Sequence, residues 1–393
     1  MTRRLSTARN LAVLASAALV VAACGSATSS TTQGGSQGSS SGVSNSAAVA
    51  AAQARVAKAE QGTNRNVDPT PRPAAKNKFV VVISSGQAAS SSAIPSDGAV
   101  DAARAIGWKV DLYDAALNPS NYAPLVRQAI AAGANGIILD AIDCDTVRQP
   151  LEEARAKGIA IVGIYAFDCN DPHSIGAKQS LFSANINFGP RASNLDLFAE
   201  SYGADQAAYI VADSHNTAKI IAIQDPEFTV LYWTLLGFEN YIKASGGSKI
   251  LDTLTVTTSD LTDGQIVPKI QAELLRFPTA TWIKSPYTYV TTLGIAPALT
   301  THQGHIDVMG GEGFEDELNL LRQGKITAVN VISSDWVGWA SVDTMNSVFL
   351  HQKPVDSGIG WTLVDATHNL PASGELVPSV DYKAEYKKAW GVG

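Results

Sequence analysis

Phe79-Val-Val-Val-Ile83 is followed by Ser84-Ser85-Gly86-Gln87 and then by a helical stretch from Asp97 to Ile106 that stops at Gly107. Five consecutive apolar, mostly β-branched residues bounded by small polar ones predict a short strand buried on both faces. The unit then repeats. Lys109 to Tyr113 predicts a second strand, and Asn121 to Ala132 a helix ending at Gly133. Gly136 to Leu139 is a third strand, Thr146 to Lys157 a helix ending at Gly158, and Ile159 to Tyr165 a fourth strand. A left-handed helix C-cap favours glycine, so three helices that each end in Gly just before a strand predict βα units and a parallel sheet. Right-handed crossovers then place helices on both faces of that sheet.

The pattern restarts after a long helical stretch near Pro190 to Val211. Strands are predicted at Lys219–Ile223, Lys249–Val256, Thr281–Lys284, Asp307–Met309 and Ile326–Val331. Helices are predicted at Val230–Ala244, Gly264–Arg276, Thr288–Leu299, Glu315–Gln323 and Trp336–Leu350. The fold class is therefore α/β, with two doubly wound parallel-sheet lobes in tandem.

Upstream of Phe79 the chain is of another kind. Arg3, Arg4 and Arg9 precede an apolar run from Leu11 to Val21, and Ala22-Ala23-Cys24 follows. A basic start, a short apolar stretch and small residues before a cleavage point predict a signal peptide over residues 1–23. Val21-Ala22-Ala23-Cys24 resembles the lipobox of bacterial lipoproteins. That resemblance implies a diacylglyceryl thioether on Cys24, its acyl chains fatty acids such as palmitate, holding the protein to the outer face of the cell membrane. Two acyl chains anchor durably where one would not. Residues 24–77 are rich in Ser, Thr, Gly, Gln and Ala and predict a disordered tether spanning about 40 Å, with transient helix at Ala47–Glu60.

Composition narrows the function. Among 393 residues, 45% are hydrophobic and the formal net charge is −7. Loss of the three N-terminal Arg would leave 26 basic against 36 acidic residues, a net charge of −10. A nucleic-acid partner is thus not expected, because reading phosphates requires an excess of Lys and Arg. The six His form no His-Glu-x-x-His motif, and there is no Gly-x-Ser-x-Gly elbow or P-loop. Ser84-Ser85-Gly86-Gln87 stands where a dinucleotide-binding glycine turn would follow the first strand. No enzyme, cofactor or metal centre is predicted.

Three features carry a family resemblance. They are the Phe79–Ile83 strand with Asp97-Gly98-Ala99 in its helix, Gly136-Ile137-Ile138-Leu139 before Asp143-Cys144-Asp145, and Val308-Met309-Gly310-Gly311-Glu312-Gly313. The chain from Lys78 onward resembles the type I periplasmic binding proteins, the ribose- and galactose-type solute-binding proteins of ABC importers. The resemblance implies two lobes joined by a three-stranded hinge near Ala184–Asn185, Ile332–Ser333 and Gly358–Trp361. The first lobe would comprise residues 78–184 plus 333–358, and the second 185–332 plus 359–393. It implies a monomer that hands a small solute to a membrane permease; a lipoprotein presenting the solute to a membrane kinase or chemoreceptor would share the same hinge.

Ligands of open parallel sheets sit beyond the carboxyl ends of the strands. Those ends nominate Ser85, Gln87, Asp140, Tyr165 and Phe167 on the first lobe. On the second they nominate Tyr232, Asp260, Tyr289 and Glu312, with Trp336 just past the hinge. Aromatic faces and carboxylates across a cleft suit sugar-like or ring-bearing hydroxylated solutes, and Tyr165, Tyr289 and Trp336 suit a less polar ring or a cation at least as well. The sugar pattern of ribose-type relatives is only partly kept. Ser90-Ser91-Ser92 stands at its Phe pair, Tyr165-Ala166 at its Asp-Arg, Thr288-Tyr289 at its Asn-Asp and Ile332 at its Gln. Each aromatic also suits packing within a lobe, and Asp140 and Glu312 also suit helix capping. Cys144 and Cys169 follow neighbouring strands and predict a disulfide outside the cytoplasm; the competing reading is a metal site with Asp143, Asp145, Asp168 and Asp171.

Overall fold

The computed structural model describes residues 44–174, 179–190 and 194–393. The signal peptide and the lipidation site at Cys24 lie outside the described residues. Among those described, no helix is long and apolar enough to cross a membrane.

The first lobe is built from β1 (Phe79–Ser84) and its successors, after an N-terminal helix α1 (Asn45–Glu60). It continues through α2 (Ser90–Ala105), β2 (Lys109–Asp114), α3 (Tyr122–Ala131), β3 (Gly136–Asp140), α4 (Arg148–Ala156) and β4 (Ala160–Ile164). The sheet order is β2-β1-β3-β4, with every pair parallel. Gly107, Gly133 and Gly158 take φ of +84°, +78° and +74°, the left-handed turns that release each helix toward the next strand. α2 starts seven residues earlier than its sequence suggests and runs through Ser90-Ser91-Ser92 and Pro95. Poor helix formers hid that first turn, which points at the cleft.

The second lobe holds α5 (Leu195–Asp213), β5 (Lys219–Gln224), α6 (Thr229–Ser245), β6 (Lys249–Thr255), α7 (Thr258–Thr262), α8 (Ile266–Arg276) and β7 (Trp282–Lys284). A broken helix follows, α9 (Thr288–Val290), a π-helical turn (Thr291–Ile295) and α10 (Ala296–Leu299). Then come β8 (Asp307–Met309), α11 (Glu315–Arg322) and β9 (Ala328–Ile332). The chain returns to the first lobe in α12 (Ser334–Phe349), then adds β10 (Trp361–Asp365) and α13 (Tyr382–Trp390). The second sheet runs β10-β9-β8-β7-β5-β6, parallel except for the antiparallel edge strand β10.

Two expectations are corrected. Residues from Ser44 to Asn77 are not a tether. Ser44 caps α1 by accepting from the Ala47 amide, and Ala52 and Ala59 are buried against Ala207, Ile210 and Leu363 of the second lobe. Alanine offers little apolar area, but it allows the close helix contact that a longer side chain would block. The segment then runs beside the hinge, with Thr63, Arg65 and Asp68 amides donating to the Trp361, Gly358 and Asp356 carbonyls. It ends on the first lobe, where buried Arg72 bonds Asp343 at 2.8 Å. The second correction concerns the C-terminus. β10 belongs to the second lobe, but α13 does not; Tyr382, Tyr386 and Trp390 join the first-lobe core with Trp336 and Trp339. Two chain segments thus cross between the lobes in addition to the hinge.

Candidate ligand-binding cleft

The lobes meet across a cleft with an empty volume of about 930 Å³, including space open to solvent. Contacts among the described residues bridge it. Ser91 Oγ of α2 donates to Glu312 Oε2 at 2.5 Å, and the Thr229 amide at the start of α6 donates to Asp143 Oδ2 at 3.0 Å. The His173 ring stacks on Tyr232 with centroids 3.7 Å apart. Cys144 and Cys169 form a disulfide that joins the two first-lobe loops supplying Asp143 and His173. The disulfide thus replaces the metal reading of these loops.

Glu312 is held by the turn Gly310-Gly311-Glu312-Gly313. The buried Glu317 carboxyl accepts from the Gly311, Glu312 and Gly313 amides at 2.6, 3.1 and 2.8 Å, and from the Thr288 and Thr291 hydroxyls at 2.9 and 2.5 Å. Five donors offset the cost of burying that carboxyl and fix the turn. A side chain at Gly311 would place its Cβ 2.3 Å from the Tyr287 backbone, so only glycine fits this approach. Glu312 retains accessible surface where it lines the cavity, yet burial, with the charge of Glu317, pushes its carboxyl up to about 7 despite the Ser91 and Thr288 bonds. Asp140, fully buried at the end of β3, is raised well above the usual carboxylate range by burial and by Glu312. Ser96 donates to its Oδ2 at 2.7 Å, while Oδ1 has no partner.

The rest of the lining is mostly apolar: Leu117, Leu195, Phe198, Phe228, Leu231, Leu261 and Ile332, with Tyr165, Tyr202, Tyr287 and Tyr289. Three of the four tyrosine hydroxyls are committed to protein. Tyr202 lies 2.6 Å from the carbonyls of Gly311 and Asn330, Tyr287 donates to Asp225 at 2.9 Å, and Tyr165 lies 3.0 Å from Ser334 Oγ. These rings therefore offer the cleft their faces more than their hydroxyls.

Of the residues nominated from sequence, Tyr165, Tyr289 and Glu312 line the cavity, and Asp140 lies just behind Ala141 in its wall. Ser85 is one layer back, bonded to the lining Ser92 at 2.7 Å. Gln87, Phe167, Tyr232, Asp260 and Trp336 are not in the lining. The Gln87 amide donates to Asp114, and the Phe167 backbone is tied to Asp143 and Cys144. Tyr232 serves the interlobe stack. Asp260 completes a capping box with Thr257 and pairs with Lys269 at 2.6 Å, so it is a structural residue. Trp336 is wholly buried and stacks on Tyr382, because α13 takes up the face it was expected to turn to the cleft. Sequence reading missed Ser91 and the α5 stripe Leu195, Phe198, Ala199 and Tyr202. Its i, i+3, i+4, i+7 spacing was a readable signal of an apolar helix face.

Two α/β lobes with a cleft beyond the carboxyl ends of their strands define a two-lobed binding protein. The chain belongs to the periplasmic binding protein domain family, whose match covers residues 79–353. This family is extracytoplasmic, binds small-molecule solutes and works with ABC permeases. Among solved structures, the Caulobacter myo-inositol binding protein bound to myo-inositol is similar at 17% identity and a TM-score of 0.62, over 77% of this chain and 97% of that one. A Burkholderia graminis ABC transporter solute-binding protein in complex with D-arabinose is 21% identical, with a TM-score of 0.61 over 77% and 99%. The 5-methylthioribose transporter solute-binding protein of Thermotoga lettingae is 17% identical, with a TM-score of 0.61 over 81% and 99%. At these identities the likeness is one of fold. No curated protein is significantly similar in sequence.

Proposed function

We propose that this protein is a lipid-anchored solute-binding component of an ABC importer. It captures one small ring-bearing solute between its lobes and releases it, unaltered, to a permease. The observation that carries this reading is the cleft itself. Residues from both lobes line this cavity, and Ser91 and Glu312 close across it, so a ligand gains its full set of contacts only when the lobes meet. Solved relatives that share the fold hold polyols and sugars, which supports a small neutral or weakly charged cargo. The Cys24 sequence supports lipid attachment, and one chain forms the whole cleft, in keeping with a monomer.

The test is a thermal-shift screen of the full-length chain against sugars, polyols, ring alcohols and ring amines, followed by solution scattering. A ligand with micromolar affinity, about −8 kcal/mol, stabilises visibly at millimolar concentration. Metabolic labelling with palmitate tests the anchor, and its loss in Cys24→Ala is expected. A protein that no solute stabilises or compacts overturns the reading.

A further inference from the structure

We infer that the cargo is an organic cation, a largely apolar ring system bearing a single protonated amine that Glu312 receives. This rests on the solute-binding reading and deepens it.

Three observations converge. The first is the shortage of free polar partners. With Tyr165, Tyr202 and Tyr287 bonded to protein, Ser92 bonded to Ser85 and Thr234 to the Val230 carbonyl, the polar side-chain atoms that the wall leaves free among the described residues are few: Glu312 Oε1 and the Tyr289 and Thr258 hydroxyls. A polyol with four or five hydroxyls would leave most of them desolvated without partners, each a cost of roughly 1–3 kcal/mol. One polar head and an apolar body match the wall better.

The second is the sign of the field. The groups that face Glu312 from the elements packed on it are Asp140 of β3, Glu317 of α11, and the Tyr165, Tyr202 and Tyr287 rings. Every one is acidic or neutral. Among the described residues no Lys, Arg or His lines the cavity. An anionic head is therefore repelled, and a cationic head supplies the charge that this pair of carboxyls lacks. Asp140 is wholly buried in the facing lobe and its Oδ1 is unpartnered, so it adds to the acidic character of that wall. The third observation is the rings themselves: Tyr165, Phe228, Tyr287 and Tyr289 line a cavity with a carboxyl in its wall, the setting in which a cation gains from both.

The test uses matched probes that differ only in the head group: 2-phenylethylamine, 2-phenylethanol and phenylacetate, with tryptamine, tryptophol and indole-3-acetate as the two-ring set. Calorimetric titration of the full-length chain at pH 8 is expected to rank amine over alcohol by at least tenfold, with no binding of the acids. The amine advantage is expected to shrink several-fold at pH 5.5. There Glu312, pushed up to about 7, is protonated while the ammonium keeps its charge. Glu312→Gln is expected to abolish both the preference and its pH dependence. The probe ranking on the unmodified protein stands whether or not that variant folds. Alcohols or acids that bind as well as the amines, or amines that do not bind at all, overturn the inference. D-arabinose or myo-inositol binding more tightly than every amine overturns it while leaving the solute-binding reading intact. If no probe binds and no sugar, polyol or other solute of the thermal-shift screen stabilises or compacts the protein, both fall.

Discussion

Ser91 Oγ and Glu312 Oε2 lie 2.5 Å apart although they belong to opposite lobes, so the carboxyl that lines the cleft is also a closing contact. A hydrogen bond to such a group contributes about 1.5–3 kcal/mol when one partner is charged and less when both are neutral. Ser91→Ala is therefore expected to shift the ligand-free protein about tenfold toward the open form. The check is the radius of gyration in solution scattering, which rises in the variant; an unchanged curve rejects the contact as a closing element.

Stability is expected to fall as pH rises from 5 to 7. Burial pushes Glu312 and Asp225 up to about 7 and Asp143 up to about 6, and raises Asp140 well above the usual carboxylate range. Each binds its proton more tightly folded than unfolded, so its contribution is complete below the unfolded value and is lost as pH climbs through the folded one. Asp68, Asp252, Asp260 and Asp365 are lowered and act only in the acid range below this window. Lys284, pushed down to about 7 by burial, adds stability only above that pH. Calorimetry of the ligand-free protein should show a melting temperature a few degrees higher at pH 5 than at pH 7. A flat or rising profile contradicts the assignment.

The Cys144–Cys169 bridge closes a loop with a sequence separation of 25. On the chain-entropy model that is worth about 3 kcal/mol, so reductant should lower the melting temperature by several degrees. Ligand affinity should drop as well, because the bridged loops carry the Asp143 and His173 contacts to the second lobe. Intact mass under non-reducing conditions that accounts for two free thiols would refute the bridge.

A fragment beginning at Lys78 should be markedly less stable than one beginning at Ser44. It loses α1 and leaves Asp343, buried at the site of its pairing with Arg72, with the Trp390 indole as its remaining side-chain donor. Breaking a buried ion pair from one side costs about 3–5 kcal/mol, and Arg72→Met isolates that part of the loss. Urea midpoints decide; equal midpoints for the two fragments would mean that the N-terminal segment only lies alongside the protein.

The lobes were legible because their signals are local and periodic. β-branched runs, amphipathic helices and Gly107, Gly133 and Gly158 each speak for themselves within a dozen residues. Glu312 and Tyr165 were legible for a related reason, as residues just past strand ends. What escaped depends on distant partners. The alanines of α1 look like tether sequence until Ala207 and Leu363 lie against them. Trp336 looks like a cleft residue until Tyr382, 46 positions later, stacks on it. Pro95 and three serines concealed the helical turn that carries Ser91.

Three hinge crossings would bend like a spine, but this molecule also carries two braces, one from Thr63 to Arg72 and one from Pro371 to Tyr382. Arg322 grips the second brace near its start, at the Pro371 carbonyl, and Tyr382 pins its end to Asp335. Guy-lines of fixed length set a limit on swing. The resting protein should stand ajar rather than gape, trading breadth of entry for a short stroke and a quick return.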